Sequence, residues 1–146
     1  MEKQSKKVAI MPCAGIGQIF GPITREVGYQ LVEELYPDQS ELVCPPALAT
    51  DIEEDIKFIQ DYPILVLNGC KDRCASKLVI EKGEKIDAEV YLPDILRKER
   101  LSLAGEKRSK LGPKSQLAID KMTKAAAEVI DQLLEGGNVN KIERQF

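Results

Sequence analysis

The sequence predicts an α/β fold: a three-layer, doubly wound, mostly parallel four-stranded sheet in the order 2-1-3-4, closed by a long C-terminal helix. Three observations carry this reading. Short apolar runs alternate with helical periodicities three times over, the pattern of βαβ units with right-handed crossovers. Val8-Ala9-Ile10-Met11 and Ile64-Leu65-Val66-Leu67 are apolar without a break, as strands are when helices cover both faces. Three of the four cysteines end predicted strands. Strand ends share one edge of a parallel sheet, and strands lie about 4.8 Å apart, so these residues converge only if strand one sits between strands two and three. The 146 residues suit a single domain, 1–146.

Each element follows from local chemistry. Residues 7–11 form the first strand and 15–21 a glycine-rich turn. Pro22 opens a helix to about residue 36, with Ile23, Val27, Leu31 and Leu35 recurring every four residues before Pro37-Asp38 stops it. Residues 41–44 form the second strand, closed by Pro45-Pro46. Thr50 or Asp51 caps a helix through about residue 61; Ile52, Ile56 and Ile59 point inward, and Glu53, Glu54 and Asp55 sit favourably at its N-terminal dipole. Residues 63–68 are the third strand, 72–82 a helix ended by Gly83, and 88–92 the fourth strand. The longest helix, 114–135, follows Pro113 and stops at Gly136-Gly137, with Ala118, Met122, Ala125, Ala126, Val129, Ile130 and Leu133 along one face.

Composition excludes several classes of function. A net charge of −3 gives no global attraction to nucleic acid or to an anionic membrane, and no tryptophan with only three Phe and four Tyr leaves little to stack on bases. No apolar run approaches the ~20 residues of a spanning helix. Lys3, Lys6 and Lys7 imitate the start of a signal peptide, but Pro12, Gly15 and Gly17 interrupt it. The expectation is therefore a cytoplasmic protein with no nucleic acid and no membrane among its partners. Reducing cytosol disfavours disulfides, so four cysteines point to metal or redox chemistry. The absence of histidine removes Ser-His-Asp and Cys-His machinery and mixed Cys/His zinc sites.

Cys13, Cys44 and Cys70 end predicted strands, and Cys74 falls on what reads as the first turn of a helix, four residues after Cys70 and so on one face with it if both are helical. A helix N-terminus stabilises thiolate, and Lys71, Arg73 and Lys77 act in the same direction. The expected metal ligands are Cys13, Cys44, Cys70 and Cys74 around one Zn²⁺; scattered thiolates also hold iron–sulfur clusters, which is the alternative. Cys44 is the least secured, on an outer strand with a backbone stiffened by Pro45-Pro46. A thiol-dependent redox enzyme or sulfur carrier is the competing class, with Cys70 attacking, Cys74 resolving, and only Asp72 or Asp51 near enough to move a proton. A closed four-thiolate site has no open coordination position, which favours a binding module.

Two further features bear on ligands. Gly15-x-Gly17-x3-Gly21 misses the dinucleotide fingerprint by one residue and lacks the acidic residue after strand two, although its N–H groups remain able to cradle a small anion beside the metal; Arg25 is read first as a surface salt-bridge residue and second as an aid to that anion. A phosphatase loop, Cys-x5-Arg, is excluded because Ile19 stands where its arginine belongs. Residues 97–114 hold Arg97, Lys98, Arg100, Lys107, Arg108, Lys110 and Lys114 against Glu99 and Glu106, a local net charge of +5. This is a solvated helix-and-loop connection, or a mobile flap or docking surface for an acidic protein partner. Leu101, Leu103 and Leu111 predict that one of its faces packs.

Met11-Pro12-Cys13-Ala14-Gly15-Ile16-Gly17, Leu42-Val43-Cys44-Pro45-Pro46-Ala47-Leu48 and Asn68-Gly69-Cys70-Lys71-Asp72-Arg73-Cys74-Ala75 together resemble the DGC family of zinc-binding proteins over roughly residues 8–92. The resemblance implies four chelating cysteines at Cys13, Cys44, Cys70 and Cys74, and metal binding rather than any particular reaction. The chain departs from the family's Asp-Gly-Cys at Asn68, which keeps an acceptor for the Gly69 turn but lacks the negative charge.

Overall fold

The two uninterrupted apolar runs become the two central strands. The computed structural model describes residues 6–136. Strands β1 (Val8–Pro12), β2 (Ser40–Leu42), β3 (Ile64–Asn68) and β4 (Ala88–Tyr91) form one parallel sheet in the order β2-β1-β3-β4, as the cysteine positions require. Because side chains alternate across a strand, β1 and β3 feed two separate cores. Val8, Ile10, Leu65 and Leu67 face α1 (Phe20–Tyr29) and the long C-terminal helix α6 (Pro113–Leu134). Ala9, Met11, Ile64 and Val66 face the other layer, built from α2 (Pro45–Ala49), α3 (Glu53–Asp61) and α4 (Cys74–Glu81). The layers are three, with helices on both faces.

The helices depart from expectation at their ends. The first begins at Phe20, since Pro22 still falls in the first turn where its missing N–H costs nothing, and it loosens into a π-helical stretch, Gln30–Leu35. Tyr36 closes that stretch: its hydroxyl donates to Asp131 Oδ1 at 2.7 Å and to Ala127 O at 3.0 Å on α6, and burial followed by the Asp131 contact raises its pKa. Pro45-Pro46 starts α2 instead of merely ending a strand, because proline's fixed φ suits the first helical positions. Neither Thr50 nor Asp51 caps α3. Ile52 holds the cap position without a side-chain bond, and Asp51 pairs with Lys82 at 2.7 Å. The helix of the helix-and-loop connection is α5 (Leu92–Lys98); it starts ahead of the basic segment with Pro93 in its first turn, and Arg97 and Lys98 are helical. Among the described residues no helix is long and apolar enough to cross a membrane.

The N-terminus of α6 is capped from a distance. Gly112 offers no side chain, and Glu106 Oε1 accepts the N–H of Gly112 at 2.8 Å and of Ser115 at 2.9 Å. The neighbouring Ser115 hydroxyl, itself without a well-formed bond, and the N–H groups of Ser115, Gly112 and Lys114 hold the Glu106 carboxyl below its ordinary value. A depressed folded-state pKa gives stability that is present above the unfolded value and lost as pH falls through the folded one. Thermal melts between about pH 3 and 7 are therefore expected to show a steeper acid loss for the wild type than for Glu106→Gln. Parallel curves would remove the cap from the account.

Candidate metal centre

Parallel strands deliver their C-terminal ends to one edge, and backbone turns there decide where the sulfurs go. Cys13 leaves β1 still bonded to the sheet, its N–H on Leu67 O at 2.9 Å. The chain then turns through a left-handed Ala14 (φ 54°). Thr24 on α1 holds that turn: its buried hydroxyl accepts the Ala14 N–H at 3.0 Å and donates to Gly21 O at 2.9 Å. The Cys13 thiol is half-buried in consequence. Burial raises its pKa most, the Gly15 N–H opposes this, the Cys74 and Cys70 thiols raise it further, and the Gly69 N–H again opposes. Two chain segments, the one after β1 and the one after β3, thus bring thiols to one neighbourhood. One glycine N–H of the expected anion cradle, that of Gly15, is turned on sulfur, and the Gly69 N–H joins it from the end of β3.

Cys70 lies outside the helix, so the condition for Cys70 and Cys74 to share a helical face is not met. Residues 70–73 form a turn closed by Arg73 N–H on Cys70 O at 3.1 Å, with Arg73 left-handed (φ 45°), and α4 begins only at Cys74. The Cys70 thiol points to Asp72 Oδ2 at 3.9 Å. Cys13, Cys70 and Asp72 line a cavity of about 120 Å³ with Gly15, Phe20 and Gly21. Of the two carboxylates considered for proton transfer, Asp72 is at the site, whereas Asp51 is engaged by Lys82.

Cys44 is placed differently. It is not a strand end but the exposed residue before α2, and its N–H donates at 2.8 Å to Asp55 Oδ2. Asp55 is 8% exposed and anchors the Cys44 backbone from α3, beyond its expected service to the helix dipole. Nothing in the spacing announces that contact.

Asn68 is the other residue whose part the sequence misstates. It is 0% exposed and works as a donor, its Nδ2 reaching Ser76 Oγ at 2.7 Å and Glu89 Oε2 at 2.6 Å, while Oδ1 has no partner. The same Glu89 oxygen binds Arg73 Nε at 2.8 Å, and the Arg73 guanidinium lies 3.9 Å from the centre of the Tyr91 ring. This chain of contacts from β3 and β4 holds Arg73, hence the turn between the two cysteines. Glu89 and Ser76 left no trace in any motif.

Among the described residues, no group of three or more Cys, Asp or Glu stands as a preformed metal cage. The donor chemistry nonetheless suits a soft ion: four free thiols, three of them interacting, and no histidine. The thiols of Cys44 and Cys74 are exposed and free to change rotamer.

The family model of the DGC domain matches residues 9–115. The chain belongs to the DGC domain family. The match takes in all four cysteines and the whole basic segment, and so extends past the stretch on which the resemblance was first read. Comparison with curated proteins and with solved structures yields no match. The DGC domain here therefore combines the all-parallel sheet with a thiol-lined edge.

Proposed function

We propose that this DGC domain protein binds a soft metal ion, Zn²⁺, through Cys13, Cys70 and Cys74 with Cys44 as the fourth ligand, and serves to hold, deliver or sense it. The observation that carries this reading is that Cys13 and Cys70, from the ends of β1 and β3, line one cavity at the sheet edge, with Cys74 opening the helix beside it. When bound, the ion would neutralise the thiolates and tie three chain segments together; Arg73 and the Gly15 and Gly69 N–H groups would offset the remaining negative charge. Four free thiols support a reducing, cytoplasmic setting.

Elemental analysis and an absorption spectrum of anaerobically purified protein test it. One zinc per chain and no visible absorption are expected; a brown protein would mean an iron–sulfur cluster, and a colourless protein without metal would end both readings. Cys13→Ser, Cys70→Ser and Cys74→Ser are each expected to weaken zinc binding by about 100-fold or more. An equal loss for Cys44→Ser would mark a closed four-thiolate site. A small one would mark an open three-thiolate site.

The second reading rests on the Cys70–Asp72 contact. There Asp72 takes the Cys70 proton, the Cys70 thiolate attacks a substrate disulfide and expels one of its thiolates, and Cys74 displaces the second as the Cys70–Cys74 disulfide forms. Selective alkylation of Cys70 in metal-free protein, slowed several-fold by Asp72→Asn, would support it. The acidic protein partner proposed for 97–114 has less to hold than composition suggests: Arg97 pairs with Asp94, and Lys114 donates to Ala104 O.

A further inference from the structure

The basic segment does not simply project into solvent. Lys107 and Lys110 pair as a tight antiparallel hairpin, and Arg108 at its tip donates through Nη1 to Gly17 O at 2.5 Å. That bond fastens the hairpin to the glycine loop whose inner side lines the thiol cavity. On the outer side, Ile19, Glu106, Lys107, Arg108 and Ser109 enclose an open cavity of about 410 Å³. Its wall is net positive. Lys107 and Arg108 outweigh Glu106, the acid among its lining residues, whose carboxylate is turned onto the N–H groups that start α6. Neither Lys107 nor Arg108 has an ion-pair partner among the described residues, and the one bond Arg108 makes is to a neutral carbonyl.

We propose that this cavity is a binding site for a small phosphate-class oxyanion, held by Lys107, Arg108 and the Ser109 hydroxyl, directly across the glycine loop from the thiols. Three physical points carry it. Two cations without counter-ions beside a hydroxyl donor favour an oxyanion over a neutral ligand. The open depression these residues line has room for a small oxyanion that remains partly solvated. The Arg108–Gly17 bond gives the anion a mechanical route to the thiols, because drawing the guanidinium outward onto a ligand must strain or release the loop that turns the Gly15 N–H onto Cys13. An anion seated there changes how exposed Cys13 and Cys70 are. The site would serve either a free oxyanion or the phosphoryl end of a larger metabolite.

This inference does not depend on a metal being bound, and its test reads separately. Calorimetric titration of the full chain with inorganic pyrophosphate at constant ionic strength is expected to show saturable one-to-one binding. Arg108→Gln should weaken it by about tenfold or more, the scale of one charge-assisted hydrogen bond, whereas Lys57→Gln on the opposite layer should leave it unchanged. Pyrophosphate should also change the alkylation rate of Cys13 and Cys70 by about threefold or more in wild type but not in Arg108→Gln. ADP binding more tightly than pyrophosphate would identify the phosphoryl end of a metabolite as the natural occupant; ADP no tighter would identify the free ion. Lack of saturable binding, equal weakening by Lys57→Gln, or tight binding of an acidic peptide in place of pyrophosphate would each overturn the proposal. Zinc content measured on the same preparations keeps a failure of the metal reading distinguishable.

Discussion

Gly21→Ala is expected to destabilise the protein by about 3 kcal/mol or more and to abolish metal binding, although alanine is the better helix former by about 1 kcal/mol. A Cβ at position 21 would lie 1.6 Å from Gly15 O and 2.6 Å from Gly15 N, and both obstacles are backbone. No rotamer change relieves them. Either the start of α1 or the loop after Cys13 must shift, and the loop is where Gly15 donates to the Cys13 thiol and Thr24 holds Ala14. Gly17→Ala is the control: its added Cβ meets nothing within 4 Å, so stability should stay within about 0.5 kcal/mol. Urea denaturation of the two variants beside wild type decides the matter. If Gly21→Ala behaved like Gly17→Ala, the close approach of loop and helix would not hold in solution.

The same loop shows why some of this site was legible and some was not. Strand order followed from burial and from cysteines that had to meet, and those are properties of single residues at known positions in a strand. Gly15, Gly17 and Gly21 marked a turn, but not that the turn serves sulfur rather than phosphate, since that depends on which atom the N–H groups face. Pro45 and Pro93 were ambiguous for a physical reason: proline ends strands and begins helices with the same fixed φ. The helix start at Cys74 was hidden because a left-handed Arg73 is paid for by tertiary contacts with Glu89 and Tyr91, which local propensity cannot register. Asp55 under Cys44 and Asn68 beside Glu89 are contacts across 11 and 21 positions and carry no periodic signal.

Asn68→Asp is expected to cost about 2–4 kcal/mol at neutral pH and to loosen the turn between Cys70 and Cys74. The Asn68 amide donates to Glu89 Oε2 at 2.6 Å from a position with no solvent access. Aspartate there would replace a donor with a second carboxylate at the same range, where two like charges repel or must share a proton. Glu89 would turn from Asn68 and Arg73 to Arg73 alone, and the left-handed backbone at Arg73 would lose part of its support. Adding Glu89→Gln restores a donor opposite the new acid, with the polarity of the bond reversed. The double variant should therefore be more stable than Asn68→Asp alone, with a coupling above about 1 kcal/mol in denaturant titrations, even though Glu89→Gln by itself removes the Arg73 ion pair. Zinc affinity should follow the same order, falling in each single variant and recovering in part in the pair. Additive losses would mean that Asn68 and Glu89 act independently, and that the Cys70–Cys74 turn is held by its own backbone rather than from β4.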